Sequence, residues 1–213
     1  MRKLAVLALP LALLLAASAF AEKKFKIVPD SPEEKALLEI QGETEAKKRL
    51  EALDEFSKKF ASSEALPYTY HLYLAAYLET QQYDKAVEFG EKAADADNED
   101  VTVLVNLVRA TQAKGDFART HKWTVAALPL QRKAMANRPP ELDDDDWKRQ
   151  LEKLKSWAEF LEYALFDAAS RDNTPEKGNY IESFATLFPQ GERAKKLPGL
   201  YALYYQQTND VAR

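Results

Sequence analysis

Two similar segments that follow each other between Pro67 and Leu128 constrain the fold of this 213-residue chain more than any other feature. Matching positions lie 34 residues apart: Tyr83 with Phe117, Asp84 with Ala118, and Ala93 with Ala127. A fixed period of about 20–50 residues is typical of stacked repeats, because one unit alone cannot bury its apolar face. The period therefore predicts a repeat array, which presents an extended surface and seldom a catalytic pocket.

Each segment has the pattern of two helices joined by a short turn. In the first segment, four residues follow the i, i+3, i+4, i+7 spacing of one helix face: Tyr70, Tyr73, Leu74 and Tyr77. The next helix has small residues on one side, which let a neighbour approach closely: Val87, Gly90, Ala93 and Ala94. In the second segment, Gly115-Asp116 interrupts the apolar pattern where a helix–helix turn is expected. The pattern predicts an all-α chain of antiparallel helical hairpins, with the aromatic stripe packed in the core.

The two segments resemble repeats of the tetratricopeptide repeat superfamily, in which each repeat is a pair of antiparallel helices. The first, placed at 67–100, shows the resemblance at Ala76, Tyr77, Tyr83, Asp84, Ala86, Lys92, Ala93 and Asp97. The second, from residue 101, shows it at Asn106, Leu107, Ala110, Gly115, Asp116, Phe117 and Ala127. The resemblance implies a helix-hairpin solenoid, wound as a right-handed superhelix, with less regular helices towards the carboxy terminus. Leu74 and Val108 depart from the family, which prefers Gly or Ala at that position, so wider helix spacing is expected there.

Composition and helix-boundary signals divide the rest of the chain. Residues 1–21 are predicted to be a secretory signal peptide, cleaved after Ala21, because a basic start precedes an apolar run and a small-residue cleavage site. Residues 22–30 are interpreted as a flexible lead-in and 31–128 as tetratricopeptide-like repeats, with Ser31 capping the first helix. A linker or loop is predicted at 129–144. Further helical hairpins of the same kind are predicted at 145–213, where the last helix either caps the array or precedes missing repeats.

The charge and cysteine content argue against several functional classes. The chain has 30 basic and 34 acidic residues, a net charge of −4, and residues 22–213 alone carry −6, because two of the basic residues lie in the signal peptide. An acidic chain argues against general binding of nucleic acid, which needs a basic patch. Because the chain has no cysteine, it cannot form a disulfide framework. It also cannot carry the lipid anchor that some exported proteins receive, since that anchor needs a cysteine at the cleavage point. The mature chain is expected outside the cytoplasm, in the periplasm of a Gram-negative source, with no membrane span.

Residues for catalysis or metal binding are few. The two histidines, His71 and His121, do not form a zinc-type pair, and no phosphate loop or nucleophile motif is present. Packing beside Trp123 is the simpler explanation for His121, whereas His71 lies on a helix that faces the groove in the family. The acidic run 143–146 fits the first turn of a helix better than a calcium loop. No catalytic residue, cofactor or metal is therefore predicted.

The family resemblance also implies a concave binding groove formed by the first helix of each repeat. It places seven residues there: Tyr68, His71, Glu79, Thr102, Asn106, Arg109 and Gln112. Arg109 is the strongest candidate among them, because a guanidinium can hold a carboxylate with two hydrogen bonds. The alternatives for Arg109 are a solvated side chain or an ion pair with Glu79.

Three functions follow from these observations. The first is a non-catalytic scaffold outside the cytoplasm that binds a protein or peptide in the groove. The second is a structural subunit that self-associates, or joins an envelope assembly, through an apolar last helix with Leu200, Tyr201, Leu203, Tyr204 and Tyr205. The third, an enzyme with a helical fold, is least favoured, because catalysis needs positioned acid, base or metal groups. The sequence does not identify the partner.

Overall fold

Helices form all the regular secondary structure of the described residues. The structure is a computed structural model that describes residues 27–208, so the predicted signal peptide at 1–21 lies outside the described range. Nine α-helices occur in this range: α1 Pro32–Gly42, α2 Ala46–Lys59, α3 Tyr70–Glu79, α4 Tyr83–Ala96, α5 Val101–Lys114, α6 Phe117–Ala136, α7 Asp144–Arg171, α8 Lys177–Leu187 and α9 Leu197–Thr208. Short 3₁₀ segments precede α3 and α9, at Leu66–Thr69 and Glu192–Lys196. The prediction of an all-helical chain is confirmed for these residues.

Side-chain caps explain where several helices begin. The Oγ atom of Ser31 accepts a hydrogen bond from the backbone N–H of Glu34 at 3.1 Å, so the predicted cap of α1 is confirmed. Aspartates cap three later helices in the same way: Asp100 on α5, Asp116 on α6 and Asp143 on α7. The acidic run 143–146 thus lies at the N-terminus of α7, where the helix dipole favours negative charge. At the end of α5, Gly115 has a φ of 71°, a left-handed conformation that favours glycine.

Consecutive helices pack against one another along the chain. Arg49 near the start of α2 binds Glu79 at the end of α3, which shows that these two helices are antiparallel. Alternate helices also touch, since α3 contacts α5 and α5 contacts α7. On the other side, Arg119 of α6 pairs with Glu91 of α4, and His121 of α6 bonds to α8. The helices from α3 to α8 therefore form two rows, an odd-numbered row and an even-numbered row.

Aromatic contacts join α3 to its neighbours in the core. The ring of Tyr73, which is 2 % exposed, stacks on the ring of Phe89 in α4 with centroids 4.2 Å apart. The rings of Tyr77 and Tyr70 lie 5.5 and 6.1 Å from the same phenylalanine. The hydroxyl of Tyr73 donates to Asp54 of α2 at 2.8 Å, and burial raises its pKa. Stacked aromatic pairs add about 0.5–1.5 kcal/mol beyond their buried area, and the prediction that this stripe belongs to the core is confirmed.

Helix α6 continues beyond the point where the sequence pattern predicted its end. It includes Pro129, which removes one hydrogen bond to the carbonyl four residues earlier. That carbonyl belongs to an exposed residue, where water can satisfy it. The buried side chain of Gln131 holds the next turn in place by donating to the Leu154 carbonyl of α7 at 2.8 Å. The first part of the predicted linker, residues 129–136, therefore belongs to α6, and the connection to α7 begins after Ala136.

Candidate functional site

Helix α5 leaves one narrow stripe accessible while most of its other side chains are buried. Thr102, Asn106 and Arg109 lie on this stripe, at the four- and three-residue spacing of one helix face. Because α5 contacts both α3 and α7, the stripe continues onto accessible side chains of these neighbours. We call this surface the α3–α5–α7 face and define it by six residues: His71, Thr102, Asn106, Arg109, Lys153 and Phe160.

The carboxylate of Asp100 organises the end of the face at which α5 begins. Its Oδ1 atom accepts hydrogen bonds from the backbone N–H groups of Thr102 at 2.7 Å and Val103 at 3.2 Å. The rings of Tyr68 and His71 meet edge to face nearby, with centroids 4.7 Å apart. Burial lowers the pKa of His71, and the negative charge of Asp100 only partly opposes this shift, so the imidazole is neutral at pH 7. Three of the predicted groove residues are thus brought together here: Tyr68, His71 and Thr102.

Arg109 occupies the middle of the face. Its guanidinium lies 5.5 Å from the centre of the Phe160 ring and donates a weak hydrogen bond, 3.4 Å long, to Oδ1 of Asn106. Partial burial of this end of the side chain lowers the pKa of the guanidinium. The alternative in which Arg109 pairs with Glu79 is wrong. Because α2 packs on α3, Glu79 instead accepts two hydrogen bonds from Arg49, at 2.9 and 3.3 Å.

Two members of the face, Phe160 and Lys153 of α7, are not among the predicted groove residues, and Lys153 is the charged one. Its ammonium lies 4.7 Å from the centre of the Trp157 ring, one helical turn further along. Burial lowers the pKa of Lys153, the charge of Asp100 opposes the shift, and the positive charge of Arg109 adds to it. The four-residue spacing of Lys153 and Trp157 is visible in the sequence. Its proximity to Arg109 is not, because it depends on how α7 packs on α5.

Glu79 and Gln112 lie near the C-terminal ends of α3 and α5, away from the end of the face at which Asp100 lies. The amide nitrogen of Gln112 is 3.5 Å from Oδ2 of Asp167, which also accepts a hydrogen bond from Arg171 at 3.2 Å. Because Asp167 is only 8 % exposed, these contacts satisfy a nearly buried carboxylate. Both predicted groove residues are therefore engaged within the chain, and neither is included in the α3–α5–α7 face.

The second histidine forms a contact between α6 and α8. Nε2 of His121 lies 2.8 Å from Oγ of Ser183, and its ring packs 4.9 Å from that of Tyr180. Burial lowers the pKa of His121, so Ser183 is hydrogen-bonded to a neutral imidazole. A serine nucleophile and its general base have the same arrangement in hydrolytic enzymes. Such a pair also needs a third group that orients the base. Within residues 27–208, no carboxylate bonds to the other ring nitrogen, so we interpret this contact as packing.

Helix α9 buries one apolar side chain, that of Leu200, and packs several partly buried ones against the rest of the chain. Leu200 is 8 % exposed and belongs to a small cluster with residues of α7 and α8, against which Tyr201 and Tyr204 also pack. Tyr205 stacks on Tyr201 with ring centroids 6.1 Å apart. Leu203, by contrast, is 53 % exposed. Of the five residues predicted for self-association, Leu203 is therefore the one best placed to contact another chain.

The described part of the chain contains neither a metal cluster nor a helix suited to a membrane. Between residues 27 and 208, no three His, Asp or Glu side chains are grouped as metal ligands would be. None of the helices in this range combines the length and the apolar character that a bilayer crossing requires.

The comparisons with known proteins assign no family to this chain. No family model, no curated protein and no solved structure matches the chain.

Proposed function

We propose that this chain is a non-catalytic scaffold of the tetratricopeptide type, which binds a protein or peptide segment on the α3–α5–α7 face. The 34-residue period and the two rows of helices support a right-handed solenoid of helical hairpins with this face on its concave side. Stacked repeats present an extended surface, and their rigidity reduces the ordering cost of binding. The signal-like sequence at 1–21 supports a location outside the cytoplasm, in the periplasm of a Gram-negative cell.

The observation that carries the proposal concerns two cations of the face. Arg109 and Lys153 are exposed, come from adjacent helices of the odd-numbered row, and each lies over an aromatic ring. Within residues 27–208, no carboxylate lies within 4.0 Å of either cation. Other arginines, such as Arg49 and Arg119, do have acidic partners at these distances. Exposed cations with perturbed pKa values and no carboxylate in ion-pair contact favour a binding role for the surface that holds them.

The test blocks the face without changing its charge. A random peptide library displayed on phage is selected on residues 22–213, and the enriched peptides are then measured on the Asn106→Trp variant. An indole at this position covers the stripe between α3 and α7, so we expect affinities to fall at least about tenfold. Val125→Trp is the matched control, because Val125 is an exposed apolar residue of α6 in the other row. Peptides that bind both variants as tightly as the parent, or a selection that enriches none, would contradict the proposal.

A second candidate function is self-association through α9, which the exposure of Leu203 favours. An aspartate at this position would remove the apolar contact between copies and leave the internal contacts of Leu200 and Tyr204 in place. A structural subunit should sediment as a dimer or larger species, and Leu203→Asp should return it to a monomer. A parent chain that sediments as a monomer at every concentration would exclude this candidate.

A further inference from the structure

The α3–α5–α7 face concentrates positive charge although the chain as a whole is acidic. Residues 22–213 carry a net charge of −6, yet two cations lie on this face: Arg109 contacts Phe160 of α7, and Lys153 lies two turns earlier on the same side of α7. The charge of Arg109 also lowers the pKa of Lys153. The mutual repulsion and the partial loss of water both raise the free energy of the cations, and the negative charge of Asp100 offsets part of this rise at Lys153. Because residues 27–208 supply no carboxylate within 4.0 Å, a ligand with negative charge would relieve this repulsion.

We propose that this face binds the side-chain carboxylates of an acidic peptide segment, with Arg109 and Lys153 as the two contacting cations. The inference rests on the proposed function, since it names the ligand chemistry of the same face. Two cations on neighbouring helices suit successive acidic side chains of one extended segment, whereas the end of a chain supplies a single carboxylate. The two cations bind carboxylates in different ways. The planar guanidinium of Arg109 binds a carboxylate directionally, whereas the compact ammonium of Lys153 acts as a point charge.

Arg109 provides the directional contact. A guanidinium can donate two parallel hydrogen bonds to one carboxylate. The hydrogen bond from Arg109 is accepted by Oδ1 of Asn106. The amide nitrogen of Asn106 has no acceptor among residues 27–208, so this nitrogen can donate a third hydrogen bond to the same ligand. The ring of Phe160 beside the guanidinium offers apolar surface to the methylene groups of a glutamate. Charge, donors and apolar surface thus lie together on one part of the face.

Asp100 sets the direction in which such a segment lies. Its carboxylate is held at the N-terminus of α5, attracts Lys153, and influences both Tyr68 and His71. The same charge repels acidic side chains of a ligand. We therefore expect the acidic residues of the segment to lie over Arg109 and Lys153, and uncharged residues to lie beside Tyr68 and His71.

The test uses two defined peptides and nuclear magnetic resonance of isotope-labelled residues 22–213. The probe is Glu-Leu-Glu-Leu-Glu with an acetylated amino end and an amidated carboxyl end, so all its carboxylates belong to side chains. The matched peptide is Gln-Leu-Gln-Leu-Gln with the same blocked ends. We expect the acidic peptide to shift the Nε–H signal of Arg109 and the indole N–H signal of Trp157, with a Kd that increases as salt is added. The glutamine peptide should bind at least about tenfold more weakly.

Variants that remove one positive charge each test which cation contacts the acidic peptide. Arg109→Gln and Lys153→Gln should each raise the Kd of the acidic peptide about three- to tenfold, as expected for one charged contact at an accessible surface. Lys92→Gln is the control, because Lys92 lies on α4 and is paired with Glu88. It removes the same net charge and should leave the Kd unchanged. The well-dispersed amide spectrum of each variant verifies that it is folded.

Three outcomes would overturn the inference. Equal binding of the glutamine peptide at the same signals would show that the face binds peptides without selecting carboxylates. Equal weakening by Lys92→Gln and Arg109→Gln would show a general effect of net charge. The absence of shifts on the face up to about 1 mM acidic peptide would show that the two cations do not bind carboxylates with useful affinity. None of these results decides the proposed function itself, which depends on the phage selection with Asn106→Trp.

Discussion

Gly90 of α4 and Leu107 of α5 lie so close together that a Cβ atom at position 90 would come 2.6 Å from Cδ2 of Leu107. The same atom would lie 2.8 Å from Cγ of Leu107 and 3.2 Å from Cδ1 of Leu74. Both leucines are 0 % exposed, so neither has free space to move into. The bulky Leu74 of α3 is therefore matched by a glycine on the helix that faces it.

Gly90→Ala should destabilise the chain despite the higher helix propensity of alanine. Overpacking of a buried site costs about 1–3 kcal/mol, and the gain in propensity offsets up to about 1 kcal/mol of this. Urea unfolding measures the difference. Gly199→Ala is the control, because a Cβ atom there would have no neighbour within 4 Å, and it should be neutral or stabilising. An increase in stability from both substitutions would mean that α4 can move away from Leu107.

Arg49→Ala should destabilise the chain more than Glu79→Gln. Besides the carboxylate of Glu79, the guanidinium of Arg49 binds the backbone carbonyls of Glu43 and Thr44, between α1 and α2. Removing all these hydrogen bonds should lower the free energy of unfolding by about 1–3 kcal/mol. Because Glu79 is half exposed, Glu79→Gln should lower it by at most about 1 kcal/mol. Equal losses in thermal or urea unfolding would assign the effect to the ion pair alone.

Stability should decrease as the pH falls from about 7.5 to about 5.5. Burial lowers the pKa values of His71 and His121 in the folded chain, so the unfolded chain binds more protons below about pH 6.5. The free energy of unfolding therefore falls as the pH is lowered through this window. His71→Gln should reduce the slope, and so should His121→Gln. The double variant should show the flattest dependence in urea unfolding, and an unchanged slope would mean that other groups control it.

Gly178→Ala should loosen α9 without unfolding the rest of the chain. A Cβ atom at position 178 of α8 would come 2.7 Å from Cζ and the hydroxyl oxygen of Tyr204. Because this is the far end of a tyrosine side chain, the ring can move away and weaken the docking of α9. Hydrogen exchange of residues 197–208 should become about five- to tenfold faster, a loss of ~1 kcal/mol in local stability. Similar exchange in Gly178→Ala and Gly199→Ala would show that Tyr204 does not hold this helix.

Local patterns predicted most of the secondary structure but did not predict the length of α6. The cap at Ser31 and the buried stripe containing Tyr73 depend on residues within about one or two helical turns, so the sequence indicates them directly. Pro129 shows the limit of such rules. A proline disfavours a helix locally, yet the contact of Gln131 with α7 stabilises the next turn, and this contact comes from a distant segment.

The sequence by itself thus determined an all-helical chain, its main helix starts and the side of α3 that is buried, because these depend on short-range spacing. Only the tertiary structure decided which charged groups meet. Packing of α2 on α3 pairs Glu79 with Arg49, and packing of α7 on α5 brings Lys153 towards Arg109. Helical spacing specifies the face on which a side chain lies, but not which residue of another helix lies opposite it. The charge character of the α3–α5–α7 face therefore depends on contacts between distant segments, which the periodic pattern does not encode.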